Sequence, residues 1–388
     1  LAVAAGVAVA NVYYVQPVLA LMATDLRVSP RAMGTIAMMM QIGYALGILG
    51  FVPLGDIVQR RRLIVGMFAL VSLFLIGVAA APTFALLALA ILLVGITTTA
   101  PQLLMPFAAD LATSAQRGQV VGTIQTGLVI GTVAARAIGG LLGAHFGWRA
   151  VFLVAAVVAA GATIVLARVL PLRPPTVTLR YLDVMRSLPG FVTRYPVLRI
   201  SMGLGFLSFS SFAGLWTVLA FHAHTLGYGA DIVGDIGLVS VIGALFAARA
   251  GSLGDRRGTL YTGTIAWLFT LGSFVAYLVI GGSIWGIAAA SALLAVGTQQ
   301  TQIANQARIF ALDGAARSRI NTVYMFSSFA GGAFGSFLAA WTYDAGGWQA
   351  FCVMSVIEVA AMAAFLGWYR ATLRPPERLR YAPDARSS

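Results

Sequence analysis

Apolar positions in this chain come in long unbroken runs, not in the three-and-four spacing of a helix that is wet on one face. Runs of roughly 20 residues, each long enough to cross a hydrocarbon core of about 30 Å, follow one another with short polar breaks. With Pro, Gly and Arg clusters taken as the breaks, the pattern predicts spans over 2–22, 31–54, 63–81, 84–107, 118–144 and 148–170. A second set follows over 197–222, 231–253, 260–280, 284–310, 318–342 and 348–369. The expected fold class is an all-α integral membrane protein of twelve transmembrane helices. The longest polar stretch, Pro171 to Pro196, carries Arg173, Arg180, Asp183, Arg186 and Arg194, and part of it is expected as an amphipathic helix on the membrane surface. The expected organisation is a six-helix bundle over 1–170, a linker over 171–196, a second six-helix bundle over 197–370 and a tail over 371–388.

Composition agrees with a chain dissolved in lipid. It is 60% hydrophobic and 10% charged, where a soluble chain carries roughly 25% charged residues. The formal charge of +13 would fit a nucleic-acid binder, but its placement excludes one. All 25 basic residues are Arg, and most fall in loops on one side of the predicted spans: Arg60 to Arg62, Arg117, Arg168 to Arg199, Arg256 and Arg257, Arg317 and Arg319, and Arg370 to Arg386. Only Arg27, Arg31 and Arg149 fall opposite, and Arg136, Arg249 and Arg308 lie within spans. By the positive-inside rule the arginine-rich face and both termini are cytoplasmic. The chain opens on Leu1 with no Met, so a start further upstream is expected, and the first span is too long and too polar for a cleaved leader. The single Cys352 excludes a disulfide framework or a cysteine-rich metal site.

The two sides of the linker repeat each other. Gly147-Trp148-Arg149-Ala150 recurs as Gly347-Trp348-Gln349-Ala350, Leu54-Gly55-Asp56 as Leu253-Gly254-Asp255, and Asp110 with Arg117 as Asp313 with Arg317, all at offsets near 200 residues. Duplicated halves suit a transporter whose two bundles rock about a site between them.

The loop after the second span reads Leu54-Gly55-Asp56-Ile57-Val58-Gln59-Arg60-Arg61-Arg62, and its counterpart reads Gly251-Ser252-Leu253-Gly254-Asp255-Arg256-Arg257-Gly258. The second copy resembles the Gly-x-x-x-Asp-Arg-x-Gly loop of the major facilitator superfamily, and the first has Val52 in place of the leading Gly. The stretch Gly131-Thr132-Val133-Ala134-Ala135-Arg136-Ala137-Ile138-Gly139-Gly140 resembles that family's antiporter signature, Gly-x-x-x-Gly-Pro-x-x-Gly-Gly. Here Ala135 replaces Gly and Arg136 replaces Pro, which weakens the inference to antiport. The opening Asn11 to Pro17 resembles the first span of bacterial proton-coupled drug and metabolite exporters. The resemblance implies two pseudo-symmetric six-helix bundles, a monomer in the bacterial inner membrane, a proton as coupling ion and a small-molecule substrate, with no cofactor. It also makes Asp56, Arg60, Arg61, Asp110 and Arg117, with Asp255, Arg256, Asp313 and Arg317, parts of a gating latch on the cytoplasmic face. Topology and helix capping alone are the competing account of those charges.

An arginine inside a span costs about 2.5–3.5 kcal/mol on insertion scales. Two readings of Arg136 stand: a site residue for an anionic or strongly hydrogen-bonding solute, or a side chain reaching for the interface. Arg249 and Arg308, nearer span ends, are expected to snorkel or to pair with loop carboxylates. Polar residues gather in the first and fourth spans of each half: Asn11, Tyr14 and Gln16; Thr97 to Thr99 and Gln102; Ser208, Phe209 and Trp216; Gln299, Gln302 and Asn305. A wet central cavity accounts for them, with Gln41, Tyr44, Gln125 and Tyr324 as further liners. Glu358, deep in the last span, is a candidate carrier of the coupling proton or a structural hydrogen-bond acceptor. His145, His222 and His224 are expected as interface anchors. No paired carboxylates in a span, no His-rich ligand spacing and no phosphate-cradling glycine loop followed by Lys occur, so an enzyme is not expected. Proton-coupled efflux is the first functional reading and uptake of an organic anion the second; a non-transporting receptor or scaffold on the same fold is the alternative from another class.

Overall fold

In the computed structural model every regular element among the described residues is helical. The structure describes residues 1–113, 116–172, 181–313 and 316–372, and for Asp56, Arg117, Ala244 and residues 247–256 the backbone alone. The expected roles of Asp56, Arg117, Arg249, Asp255 and Arg256 therefore lie outside the described side chains, and most of the expected tail lies outside the described residues.

The helices run α1 (Ala2–Tyr13), α2 (Val15–Leu26), α3 (Pro30–Ile57), α4 (Arg60–Ala80), α5 (Phe84–Thr97), α6 (Ala100–Leu111), α7 (Arg117–Phe146) and α8 (Trp148–Val169). They continue as α9 (Tyr181–Arg194), α10 (Pro196–Thr225), α11 (Ala230–Ile236), α12 (Ser240–Ile280), α13 (Ile284–Phe310) and α14 (Arg317–Thr372). Among the described residues nine helical segments are long and apolar enough to cross a membrane. Two of the longest are jointed. α12 turns at Gly258, φ +83°, the closing glycine of the second loop signature, and the 56-residue α14 turns at Gly346 and Gly347, the latter at φ +67°. Gly147 has φ +79° at the equivalent turn between α7 and α8. The repeated Gly-Trp pair is thus a repeated turn that only glycine adopts without strain.

Three spans expected as continuous helices are interrupted. Pro17 has no N–H to offer the Tyr13 carbonyl, and the first span parts at Tyr14 into α1 and α2. Pro101 likewise leaves Thr97 without its acceptor bond, ending α5 before α6 begins. The third break is a 3-10 turn, Gly237–Val239, between α11 and α12.

Close backbone approach carries the packing, and it repeats. A Cβ on Gly131 would lie 2.3 Å from the carbonyl oxygen of Gly6, and one on Gly331 2.2 Å from that of Phe206. The α1–α7 contact thus recurs as α10–α14 at an offset of 200 residues (6 to 206, 131 to 331). Gly43 meets the backbone of Gly95 in α5 as Gly243 meets that of Ala295 in α13, again 200 residues on (43 to 243, 95 to 295).

Contacts between residues 2–169 and 196–372 gather away from the arginine-rich turns, where α3 packs on α14, α7 on α11 and α2 on α10. There Gly34 abuts Ala340, and a Cβ on Gly140 would lie 2.3 Å from the Ala230 carbonyl oxygen. On the opposite side α9, the helical part of the linker, is tied to both halves. Tyr181 Oη donates to the Gly50 carbonyl at 3.1 Å, and the Arg319 guanidinium lies 5.2 Å from the Phe191 ring.

Candidate functional site

Between these two faces lies a cavity of about 210 Å³, lined by α1, α3, α6 and α7 from the first half and α10, α12, α13 and α14 from the second. All three helix breaks border it, through Tyr13, Pro101 and Ser240. A broken helix frees backbone polar groups, and inside a bilayer those are tolerated only beside protein or a wet cavity.

Of the residues expected at the site, Tyr44, Gln102, Gln125, Arg136, Phe209, Gln299, Gln302 and Tyr324 line the cavity. Gln102 Nε2 donates to Tyr44 Oη at 3.4 Å. The Tyr44 ring packs on Phe329, 4.2 Å between centroids, Phe209 sets its edge against Phe329 at 4.8 Å, and Phe212 continues the chain from Phe209 at 5.8 Å. The result is an aromatic wall across the seam between the halves.

Arg136 stands at one end of that wall, 0% exposed. Its guanidinium carbon lies 4.0 Å from the Trp216 ring, 4.4 Å from Tyr13 and 5.6 Å from Phe212. Nε donates to Gln16 Oε1 at 2.8 Å, and neither Nη1 nor Nη2 has a hydrogen-bond partner. Positions 16 and 216, related by the repeat, thus grip one arginine. Gly237 of the 3-10 turn leaves room for it, since a Cβ there would lie 2.7 Å from that of Arg136. The interface-seeking alternative for Arg136 is set aside by this burial.

Other expected liners fall elsewhere. Gln16 and Trp216 stand behind the cavity as the grip on Arg136. Tyr14 lies against α7 at Gly139, because the break at Tyr14 turns Tyr13, not Tyr14, inward. Asn11 and Gln41 are buried outside the lining. Asn305 stands one layer back, donating to Tyr324 Oη at 3.3 Å and accepting from Arg308 Nη1 at 2.9 Å. Arg308 does not snorkel: it is 4% exposed, donates through Nη2 to the Thr259 carbonyl at 2.6 Å and lies 4.4 Å from the Tyr369 ring. His222 is no interface anchor either. It is buried, stacked on Trp348 at 3.9 Å, with Nε2 2.9 Å from the Gly281 carbonyl.

Glu358 lies outside the lining, on the far side of α10 from Phe209. It is 8% exposed and accepts from Ser210 Oγ at 2.8 Å and Ser211 Oγ at 3.4 Å. On the arginine-rich face Arg60 Nη1 pairs with Asp110 at 2.6 Å, and its Nε donates to the Gly55 carbonyl at 2.9 Å. Arg61 donates to the Ala167 carbonyl, Arg317 Nε to the Phe310 carbonyl at 3.1 Å, and Asp313 accepts from Tyr195 Oη at 3.4 Å. Among the described residues no three of His, Cys, Asp and Glu come together as a metal site.

Sequence reasoning missed Phe212, Ser328 and Phe329, which line the cavity. Leu128 and Val129 face the cavity from α7, and Ser328 and Phe329 do so from α14, 200 residues on.

A sequence profile of the Major Facilitator Superfamily matches residues 1–312. The uncharacterized transporter YgaY of Escherichia coli O157:H7 is 36% identical over 372 residues, covering 95% of this chain and 94% of its own. The probable transporter SCO4007 of Streptomyces coelicolor is 34% identical over 378 residues, covering 97% and 86%. Among solved structures, a bacterial homologue of the human lysosomal transporter Spinster, inward-facing and occupied, matches with a TM-score of 0.76 at 16% identity, over 96% of each chain. The nucleoside transporter NupG matches at 0.78 and 12% identity, over 95% of this chain and 98% of its own. At such identities the structural likeness speaks for the fold, while the profile and the relatives speak for descent: the chain belongs to the major facilitator superfamily and is a multi-pass membrane transporter, not an enzyme.

Proposed function

We propose that the protein moves a small organic solute through this cavity by alternating access, residues 1–170 rocking against 197–370 with a proton as the coupling ion. The observation that carries the reading is the cavity itself, lined by both halves and bordered by three interrupted helices. In this reading the chain crosses the bacterial inner membrane twelve times with its arginine-rich face in the cytoplasm. The lining comes from both halves of one chain, so a monomer is a complete unit.

Charges on the arginine-rich face brace each half in this cycle. Arg60 with Asp110 ties the start of α4 to the end of α6 within the first half, holding that half rigid as it moves. Glu358 carries the coupling proton: it is a buried carboxyl whose hydroxyl partners sit on α10, the helix that presents Ser208, Phe209 and Phe212 to the cavity. Protonation there alters how α14 holds α10 and so reaches the site.

Two directions of transport fit this scheme. The Asn11 to Pro17 stretch favours proton-driven efflux. The lining favours uptake, because a pump for lipophilic cations calls for a carboxylate in its cavity and none of the described lining residues is acidic.

Flux into proteoliposomes under an imposed pH gradient tests the proposal. The gradient is expected to drive solute accumulation that a protonophore abolishes. Glu358→Gln is expected to keep solute exchange at equal pH and to lose gradient-driven accumulation. Wild-type accumulation by that variant would remove Glu358 from the coupling step, and absence of any gradient-driven flux would remove the proton.

A further inference from the structure

The environment of Arg136 is built around the faces of its guanidinium, and its two terminal nitrogens are buried without a hydrogen-bond partner. Tyr13 and Trp216 rings lie against the planar group at 4.4 and 4.0 Å, and Gln16 takes the Nε proton. Nη1 and Nη2 form the fork that recognises a carboxylate through two parallel hydrogen bonds. Both are buried and without a partner, although their carbon skeleton is wedged against Gly237 and so fixed in place. Buried unpaired donors of a charged group are costly, and Arg136 lines the cavity. The carboxylate that would satisfy them is not supplied by the described lining residues, none of which is Asp or Glu. Glu358 is committed to Ser210 and Ser211.

We propose that Arg136 is the anchor for the substrate, and that the substrate is a monocarboxylate with a planar, largely apolar body. The inference rests on the reading of this cavity as the transport site. Among the described residues Arg136 is the only charged one in the lining, and it balances one negative charge; a phosphate ester would bring a second charge with no partner. The aromatic wall of Tyr44, Phe329 and Phe209 offers ring faces and edges to a flat body. Amides at Gln102, Gln125, Gln299 and Gln302 offer donors and acceptors to a hydroxyl or carbonyl substituent. A volume of about 210 Å³, below the range of about 300–1,000 Å³ for drug-sized ligands, suits a one-ring or short-chain acid.

The test is ligand-induced thermal stabilisation of the purified full-length protein, titrated with benzoate, 4-hydroxybenzoate, short-chain monocarboxylates, benzamide and tetraphenylphosphonium. An acid of the panel is expected to stabilise saturably, with its uncharged amide at least about tenfold weaker, as loss of a charge-assisted pair implies. Arg136→Ala is expected to lose at least about tenfold in affinity for the acid, and Arg136→Lys, which keeps the charge without the fork, to fall between. The acid-against-amide comparison uses the unaltered protein, so it stands even where Arg136→Ala fails to fold. Equal binding of benzoate and benzamide, undiminished acid binding by Arg136→Ala, or stabilisation by the cation and by no acid would overturn the proposal. Proteoliposome flux separates the two readings. Acid binding without acid flux leaves the anion site standing and removes transport through it, whereas flux of cations or neutral solutes without acid binding does the reverse.

Discussion

Arg136 concentrates the residue-scale energetics. Holding a guanidinium within a span costs about 2.5–3.5 kcal/mol on insertion scales, and a desolvated cation–π contact returns about 2 kcal/mol. Two such faces with one charge-assisted hydrogen bond offset the cost of burial, and the two unpartnered terminal nitrogens are left for a ligand. Gln16 is therefore structural, and its removal orphans a buried Nε donor at about 1–3 kcal/mol. Gln16→Ala is expected to lower the melting temperature of the ligand-free protein, while Gln125→Ala, at an exposed cavity position, leaves it unchanged. Equal melting temperatures for the two variants would contradict this assignment. Arg136 could be found in the sequence because an arginine stood where the resemblance calls for proline. Two of its partners, Gln16 and Trp216, were named as liners and two, Tyr13 and Phe212, were not; their depth was not legible, because in the first span only the break at Tyr14 decides which side chains face in.

At the scale of the element, helices here are held by backbone contact more than by side-chain burial, since lipid offers no hydrophobic reward for bringing two helices together. Gly331 shows how little room is left, a Cβ there falling 2.2 Å from the Phe206 carbonyl oxygen. Gly331→Val forces the first rod of α14 away from α10, and overpacking of this kind costs about 1–3 kcal/mol. A clear drop in melting temperature is expected, set against Gly66→Val, where nothing lies within 4 Å of the added Cβ. Similar melting temperatures for both would show that the α10–α14 contact yields freely. The repeated Gly-Trp boundaries were legible because glycine acts through local geometry, whereas Pro17 and Pro101, which act the same way, sit in spans expected to run on unbroken. The 3-10 turn at Gly237–Val239 was not legible, because its cause is a side chain from α7 that reaches it only in the folded protein.

For the whole molecule, the governing fact is a two-part plan repeated at an offset of 200 residues, down to which glycine meets which carbonyl. Three short echoes in the sequence disclosed the duplication, and long apolar runs disclosed the membrane. Neither shows which face is shut. The structure is closed away from the arginine-rich turns, where Gly34 meets Ala340 and Gly140 meets Ala230, so the proposed alternating access requires this seam to part. Spin labels report on both faces at once. One pair belongs on the closed face, Arg31→Cys with Ala345→Cys, and one on the opposite face, Gln116→Cys with Ser318→Cys; all four positions are exposed, and the native Cys352 is buried. The decisive measurement is the pair of distance distributions by double electron–electron resonance in lipid, with and without a transported solute, at two pH values. Alternating access predicts populations in which the first distance lengthens as the second shortens. Two distances that stay fixed, or that lengthen together, in protein that still transports would contradict it.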